Sequence, residues 1–211
     1  MLYLCEMARL HGERVSDGEL CFLKMETTTM ESIRDLLIDG MGDLYDAEKQ
    51  LIKALPKMVK AASNQELSQA FENHLDQTRG HAERLEQAFE MLGEKPKGKP
   101  CKAMKGLIEE AQETINEDAP EPLLDSAIIC AAQKVEHYEI AGYGTLKSWA
   151  NALGLDGVAG LLEETLEEEK EADEKLTNVA AAVLLESTEA ERGAATKAKA
   201  EGGLRGRAGR L

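Results

Sequence analysis

The chain has 211 residues, of which 43% are hydrophobic and only 4% aromatic, and its formal net charge is -15. A chain of this length can bury one sizeable core, and its richness in Ala, Leu, Glu and Lys is typical of helical proteins rather than of β-sandwiches or barrels. The charge argues against nucleic acid as the main partner, because binding a phosphate backbone requires a basic surface; it favours a cation instead.

Residues 1–29 are predicted to form a disordered extension outside the domain, or to precede the true start at Met25 or Met30. The apolar residues of this segment are interrupted by Glu6 and Glu13, so the segment makes a poor secretory signal. No later run approaches the roughly 20 apolar residues of a membrane span. The cysteines lack Cys-x-x-Cys spacing, which favours unpaired thiols in a reducing compartment. We therefore expect a soluble cytoplasmic protein with no membrane partner.

The first predicted helix runs from Glu31 to about Ala62. Its apolar residues step by three and four, which is the spacing of one buried helical stripe. They are Leu37, Met41, Leu44, Leu51, Leu55 and Met58. Pro56 lies inside the helix and predicts a kink near Ile52, because proline removes one backbone hydrogen bond.

A second helix is predicted after a capping box at residues 63–66, and Gly93 ends it. Residues 94–121 begin with two prolines and a glycine and contain one short amphipathic piece, from Met104 to Ile115. Because so long a connection separates the second and third long helices, it predicts a crossover along the bundle.

The third long helix is predicted from Pro122 to Ala152, and the fourth from residue 158 to about 184 after a tight turn. Two helical hairpins joined by one long crossover are typical of the ferritin-like four-helix bundle. The sequence therefore predicts an all-α bundle at residues 30–185, followed by a flexible tail at residues 186–211.

Each long helix interrupts its apolar stripe near its middle with polar residues that can bind a metal. They are Glu48 on the first, His74, Thr78 and His81 on the second, Glu136 and Glu139 on the third, and Glu169 and Asp173 on the fourth. At about 1.5 Å per residue they lie within roughly one turn of a common level, with His74 one turn away from it. Several buried carboxylates cannot stay ionised together without cations, so the pattern predicts two metal ions. Oxygen-rich ligation with one or two imidazoles favours iron or manganese over structural zinc.

Four segments of the chain resemble the YciF-like bacterial stress proteins of the ferritin-like superfamily. They are LYDAEKQLIKALPK, HLDQTRGHAERLE, AAQKVEHYEIAGYGTL and LEETLEEEKEADEKL. The resemblance covers about residues 31–181 and implies a ferritin-like bundle with a dinuclear metal centre, a homodimer and a role in the stress response. The ligands that it implies residue by residue are Glu48, Glu136, Glu139, Glu169 and Asp173.

The second helix departs from the pattern of ferritin-like proteins. Where they have a Glu-x-x-His motif, Thr78 stands in place of the glutamate, and His81 follows. We expect His81 as a ligand, with His74 and Tyr143 as additional members of the site. The site thus lacks one bridging carboxylate. We expect this loss to affect the oxidation of Fe(II) more than the binding of metal, since a histidine or water can complete the ligand set.

Residues next to these ligands are expected to point elsewhere. His137 is turned about 100° from Glu136 along the helix, which places it beside the centre or at an interface. Glu167, Glu168 and Glu171 are expected on a solvated helix face, as most runs of charge are.

Two functions remain open at this level. One is a ferritin-like stress protein that binds a dinuclear iron or manganese centre and oxidises Fe(II) with oxygen or peroxide. The other is a non-catalytic bundle whose acidic layer holds salt bridges or a structural ion, and whose role is structural or partner binding. The sequence contains no convincing catalytic triad and no Gly-rich phosphate loop that would favour a third function.

Overall fold

The computed structural model describes the backbone of residues 30–208 and the side chains of residues 30–188 and 192. These residues contain five α-helices and no strand, which confirms the all-α prediction. We number them α1 (Ile33–Ala61), α2 (Gln65–Met91), α3 (Lys102–Ile115), α4 (Glu121–Ala152) and α5 (Asp156–Ala208). They belong to one compact unit that begins at Ser32. The predicted extension at residues 1–29 lies outside the described residues.

The four long helices form two hairpins joined by a long connection. α1 packs against α2 and α4, and α5 packs against the same two helices, so the four surround one core. The connection between the hairpins contains α3, which packs on α1 and α4. The predicted crossover and its short helix are thus confirmed.

Two glycines end α2 and α4 where the sequence predicted a stop. Gly93 and Gly154 have φ angles of 72° and 68°, in the left-handed region that favours glycine. The N–H of Glu94 then donates back to the carbonyl of Phe89 at 3.0 Å, and an equivalent bond follows Gly154. These caps satisfy carbonyl groups that the ends of the helices would otherwise leave without partners.

A buried carboxylate on α4 ties the α1–α2 turn in place. Asp125 accepts hydrogen bonds from Ser63 N at 2.9 Å, Ser63 Oγ at 2.6 Å and Asn64 N at 2.8 Å. Asn64, rather than Ser63, is the N-cap of α2. The contact therefore fixes the height of the first hairpin against α4.

The apolar core is divided into two clusters along the bundle. The first includes Leu51, Phe71, Ile129 and Leu176, and the second includes Leu44, Leu85, Leu146 and Leu162. On each long helix the change from one cluster to the other occurs at the predicted polar residues. α1 and α4 approach closely beside this level, since a Cβ added at Gly142 would lie 2.9 Å from Leu44 Cδ2. The fold encloses a polar layer between two apolar ones.

Four further features complete the comparison with the predictions from sequence. α1 is continuous through Pro56. α5 runs on to Ala208, well past its predicted end and into the expected flexible tail, because Ala, Glu and Lys in this segment are strong helix formers. Cys101 and Cys130 form no disulfide. In the described part of the chain no helix combines the length and apolarity needed to cross a membrane.

Candidate metal centre

Six buried polar side chains meet in the layer between the two apolar clusters. They are Glu48 on α1, His74 and His81 on α2, Glu136 and Glu139 on α4, and Glu169 on α5. Each residue is at most 6% exposed. All four long helices thus contribute, and the group comprises five of the predicted ligands together with His74, which was expected as an additional member.

The six residues form two groups that share Glu169. His74, Glu136, Glu139 and Glu169 each offer one ligand atom within 4.8 Å of the others, and so do Glu48, His81 and Glu169. Glu169 Oε1 lies 2.8 Å from His81 Nδ1, and Glu169 Oε2 lies 3.7 Å from His74 Nε2. The two oxygens of one carboxylate therefore face two different imidazoles, an arrangement in which a carboxylate can bridge two cations.

Many polar atoms of this layer have no hydrogen-bond partner among the described residues. Eight buried atoms are in this state: Glu48 Oε2, His74 Nδ1, His81 Nδ1, Glu136 Oε2 and both carboxylate oxygens of Glu139 and Glu169. Some lie near an imidazole without the alignment of a hydrogen bond. Leaving such a group unsatisfied costs about 1–3 kcal/mol. Cations with oxygen and imidazole ligands would satisfy these atoms, so the donor set fits iron or manganese.

Burial raises the pKa of three of the four carboxyl groups. Desolvation together with the charge of Glu169 raises the pKa of Glu136 well above 4.5, and desolvation with the charge of Glu48 does the same to Glu139. Desolvation also raises the pKa of Glu48. The pKa of Glu169 is lowered, because its contact with His81 and the charge of His74 outweigh the effect of burial. Without a cation, the layer therefore retains protons that metal binding would displace.

The two imidazoles have opposite pKa shifts. Desolvation lowers the pKa of His74 from 6.5. Desolvation acts in the same direction on His81, but contacts with Glu169 and Glu48 outweigh it and raise the pKa to about 10. In the absence of a metal, His81 is thus a cation paired with the surrounding acids.

An ion pair with α5 orients His81. Its Nε2 lies 2.9 Å from Glu168 Oε2, and Arg84 donates two hydrogen bonds of 2.8 Å to the same carboxylate. This leaves Nδ1 directed at the polar layer, and carboxylates that hold the outer nitrogen of a histidine are common in metal sites. The expectation that Glu168 lies on a solvated face is wrong, since its side chain is only 26% exposed. Arg84 lies one turn after His81 in the sequence, but its contact with Glu168 depends on how α2 and α5 pack.

Two hydroxyl groups border the layer. Tyr143 is fully buried and donates a hydrogen bond to Glu48 Oε1. Desolvation and the charge of Glu48 raise its pKa well above 10, so its hydroxyl remains a donor. Thr78, at the position of the missing glutamate, donates to the carbonyl of His74 at 2.7 Å, within its own helix. α2 therefore contributes imidazoles and no carboxylate.

The structure does not bring Asp173 into this cluster. Its Oδ1 accepts a hydrogen bond from Gln133 at 3.0 Å, and its Oδ2 lies 3.5 Å from His137 Nε2. Aspartate is one methylene shorter than glutamate, and these contacts hold it on the flank between α4 and α5. The His137 side chain is 68% exposed, as expected for a residue that points away from the centre.

Two openings reach the layer at His74 and Glu136. One is an apolar cavity of about 30 Å³ between α1, α2, α3 and α4, lined by residues such as Leu55, Phe71 and Val135. The other is a wider cleft of about 430 Å³ between α2 and α5, whose wall includes charged residues such as Glu171 and Lys175. The same two side chains thus separate a small apolar cavity from a wider cleft with charged residues in its wall.

Comparison with known proteins agrees with this architecture. The family model described as Domain of unknown function (DUF892) matches residues 32–189. Protein YciF of Escherichia coli K12 is 52% identical over 152 residues, which are 72% of this chain and 92% of that protein. The crystal structure of the E. coli stress protein YciF has 51% identity and a TM-score of 0.72, with 74% of this chain and 98% of that chain covered.

Two further solved structures extend the likeness. The protein YcfI from Rhodopseudomonas palustris is 49% identical, with a TM-score of 0.70 and coverage of 72% and 96% of the two chains. A ferritin-like diiron-carboxylate protein from Bacillus anthracis is 21% identical, with a TM-score of 0.56 and coverage of 72% and 99%. At that identity the second likeness shows the fold alone. The ferritin-like bundle and the resemblance to YciF are thus confirmed.

Proposed function

The chain belongs to the family described as Domain of unknown function (DUF892), which matches residues 32–189, and we propose that it binds two iron or manganese ions in the polar layer. One observation carries the proposal. Glu169 lies between two groups of ligand atoms and faces an imidazole of each with a different oxygen.

Each ion would have its own ligands besides the shared Glu169. His74, Glu136 and Glu139 would hold one ion, and Glu48 and His81 the other. The four carboxylates carry four negative charges when ionised, which two divalent cations neutralise. Ferritin-like di-iron proteins also use four carboxylates and two histidines, but there two different helices each supply one histidine. Here both imidazoles come from α2, and Asp173 stays a predicted ligand that this geometry does not require.

The reaction we infer is the oxidation of Fe(II) by oxygen or peroxide, in a stress protein of the bacterial cytoplasm that acts as a homodimer. Two ferrous ions bound in this layer would supply the two electrons that, together with two protons, convert one hydrogen peroxide into two waters. The protein would hold the ligands in place: Tyr143 donates to Glu48, and the Arg84–Glu168 pair keeps His81 Nδ1 directed inward. Burial keeps bulk water away from Glu48, Glu139 and Glu169, which are fully buried.

One observation favours the other function, a non-catalytic bundle with a structural or partner-binding role. Protonated His81 lies 2.9 Å from Glu168 and 2.8 Å from Glu169, so ion pairs alone neutralise part of the layer. In this case the layer would stabilise the bundle without a redox metal.

Anaerobic titration with Fe(II) and metal analysis test the proposal. We expect two ions per chain, and faster consumption of oxygen or peroxide than by Fe(II) in buffer. Glu139→Gln should lower both, while Glu174→Gln, on the exposed face of α5, should lower neither. If the parent binds no Fe(II), or if Glu139→Gln leaves binding and oxidation unchanged, the non-catalytic function is favoured.

A further inference from the structure

Charged residues of α5 line its seam with α2. They recur at spacings of four, three and four, which places them on one stripe of the helix. The stripe consists of Glu164, Glu168, Glu171 and Lys175. Arg84 of α2 pairs with the first two at 3.0 and 2.8 Å, and Lys175 pairs with Glu66 of α2. Between these pairs, Glu171 has no ion-pair partner among the described residues.

The wider cleft opens the seam at this unpaired acid. Residues of α2 and α5 form its sides, with Glu171 exposed at the surface. Glu136 reaches the cleft from α4 and is only 3% exposed, so it lies at the inner end. Its Oε2 has no hydrogen-bond partner in the described part of the chain. The cleft therefore connects solvent with a buried, unsatisfied carboxylate of the candidate metal centre.

The charge of the cleft suits a cation. Two other charged residues in its wall are already compensated, since Asp76 pairs with Arg79 and Lys175 with Glu66. Glu171 therefore leaves the cleft with one uncompensated negative charge, and such a charge attracts cations. At about 30 Å³ per water, its 430 Å³ holds on the order of ten waters, more than surround an octahedral cation.

The second opening is unsuited to a hydrated ion. The apolar cavity of about 30 Å³ has room for one or two waters and offers few polar atoms besides His74 and Glu136. Moving a cation through such a space would strip its hydration without replacement, which is costly. Of the two openings, the cleft is the one that a hydrated divalent ion can enter.

We propose that divalent cations reach the metal centre through the α2–α5 cleft, with Glu171 as their first contact and Glu136 as the receiving ligand. This route rests on the proposed function, because it requires a metal centre at its inner end. It assigns to Glu171 a role in the rate of metal uptake and none in the final ligand set.

Stopped-flow absorbance with Co(II) alone, at low ionic strength, tests the route in the full-length protein. Removing one charge near the path should slow association about two- to five-fold in Glu171→Gln. Glu174→Gln is the matched control, since Glu174 is also exposed on α5, has no ion pair in the described structure and does not line the cleft. Both variants should still bind two ions per chain at saturation.

Charge-reversal variants and high salt provide two further tests of the role of Glu171 in metal uptake. Glu171→Lys should slow uptake more than Glu171→Gln, and Glu174→Lys should remain near the parent. In about 1 M salt, where the Debye length is about 3 Å, the differences should disappear. The route is overturned if the variants at 171 and 174 slow uptake equally or not at all, or if Glu171→Gln loses an ion at saturation. A parent protein that takes up no Co(II) contradicts the proposed function, and the route with it.

Discussion

Side-chain length and helix phase decide which polar residues reach the layer. His74 and His81 are seven residues apart, or about 10 Å along the helix. Their rings nevertheless approach to 6.1 Å between centroids, because both side chains lean towards the same level. Asp173 follows Glu169 by one turn, but its shorter side chain ends beside Gln133. The level of a residue along the bundle is therefore not sufficient to predict whether its side chain belongs to the ligand set.

Substitution of His74 and of Asp173 tests which of the two residues binds metal. We expect His74→Ala to reduce Co(II) binding from two ions to one per chain, because it removes the imidazole from one group of ligands. Asp173→Asn should still bind two ions, because its carboxylate lies outside both groups. Equilibrium titration followed by metal analysis gives the stoichiometry. The assignment would be reversed if Asp173→Asn lost an ion while His74→Ala retained both.

The sequence predicted most of the candidate site because buried stripes reveal helix phase. Glu48, Glu136 and Glu139 stand on stripes of apolar residues, so their inward direction could be read directly. Glu168 could not be placed in this way. It lies at the flank of the α5 stripe, and its burial depends on Arg84, which approaches from another helix. Contacts of this kind require the packing of two elements to be known.

Turns and caps set the level at which the helices meet. Gly93 and Gly154 could be recognised as helix ends from sequence, since glycine favours the left-handed conformation. The role of Asp125 could not, because its partners are more than 60 residues away in the chain. The sequence also predicts an end of α5 near residue 184, whereas the helix runs on to Ala208 through a segment in which Ala, Glu and Lys favour a helix.

Removal of the Asp125 carboxylate should destabilise the junction of α2 and α4. Asp125→Ala leaves the N–H groups of Ser63 and Asn64 without their acceptor, and we expect the free energy of unfolding to fall by about 2–4 kcal/mol. Asp125→Asn retains one acceptor oxygen and should lose less. Urea unfolding measures the difference, with Glu121→Ala on the exposed first turn of α4 as control. A loss no larger than that of the control would contradict this role.

At the scale of the whole molecule, the polar layer links stability to pH. Burial raises the pKa of Glu136 and Glu139 above 4.5, and contacts with acids raise the pKa of His81 from 6.5 to about 10. The folded metal-free protein thus holds protons that the unfolded chain releases, so its stability falls as pH rises through these windows. The lowered pKa values of His74 and Glu169 have the opposite effect. They reduce the stability as the pH falls below 6.5 and 4.5, respectively.

Thermal unfolding with and without metal tests this linkage. Between about pH 7 and 9, the Tm of the metal-free protein should fall, by about 2–4 °C for each kcal/mol of stability lost. The Mn(II)-loaded protein should fall less, because ligands that release their protons bind the metal more tightly. The gap between the two Tm values should therefore widen with pH. A metal-free Tm that stays level or rises across this range would contradict the assigned protonation states.

The central claim is that two metal ions share Glu169 inside the bundle. Anomalous diffraction at the iron and manganese edges, from crystals of the metal-loaded protein, tests it most directly. We predict two peaks in the polar layer, one beside His74, Glu136 and Glu139 and the other beside Glu48 and His81, with Glu169 between them. A map with no peak in this layer, or with metal only at surface carboxylates, would contradict the claim.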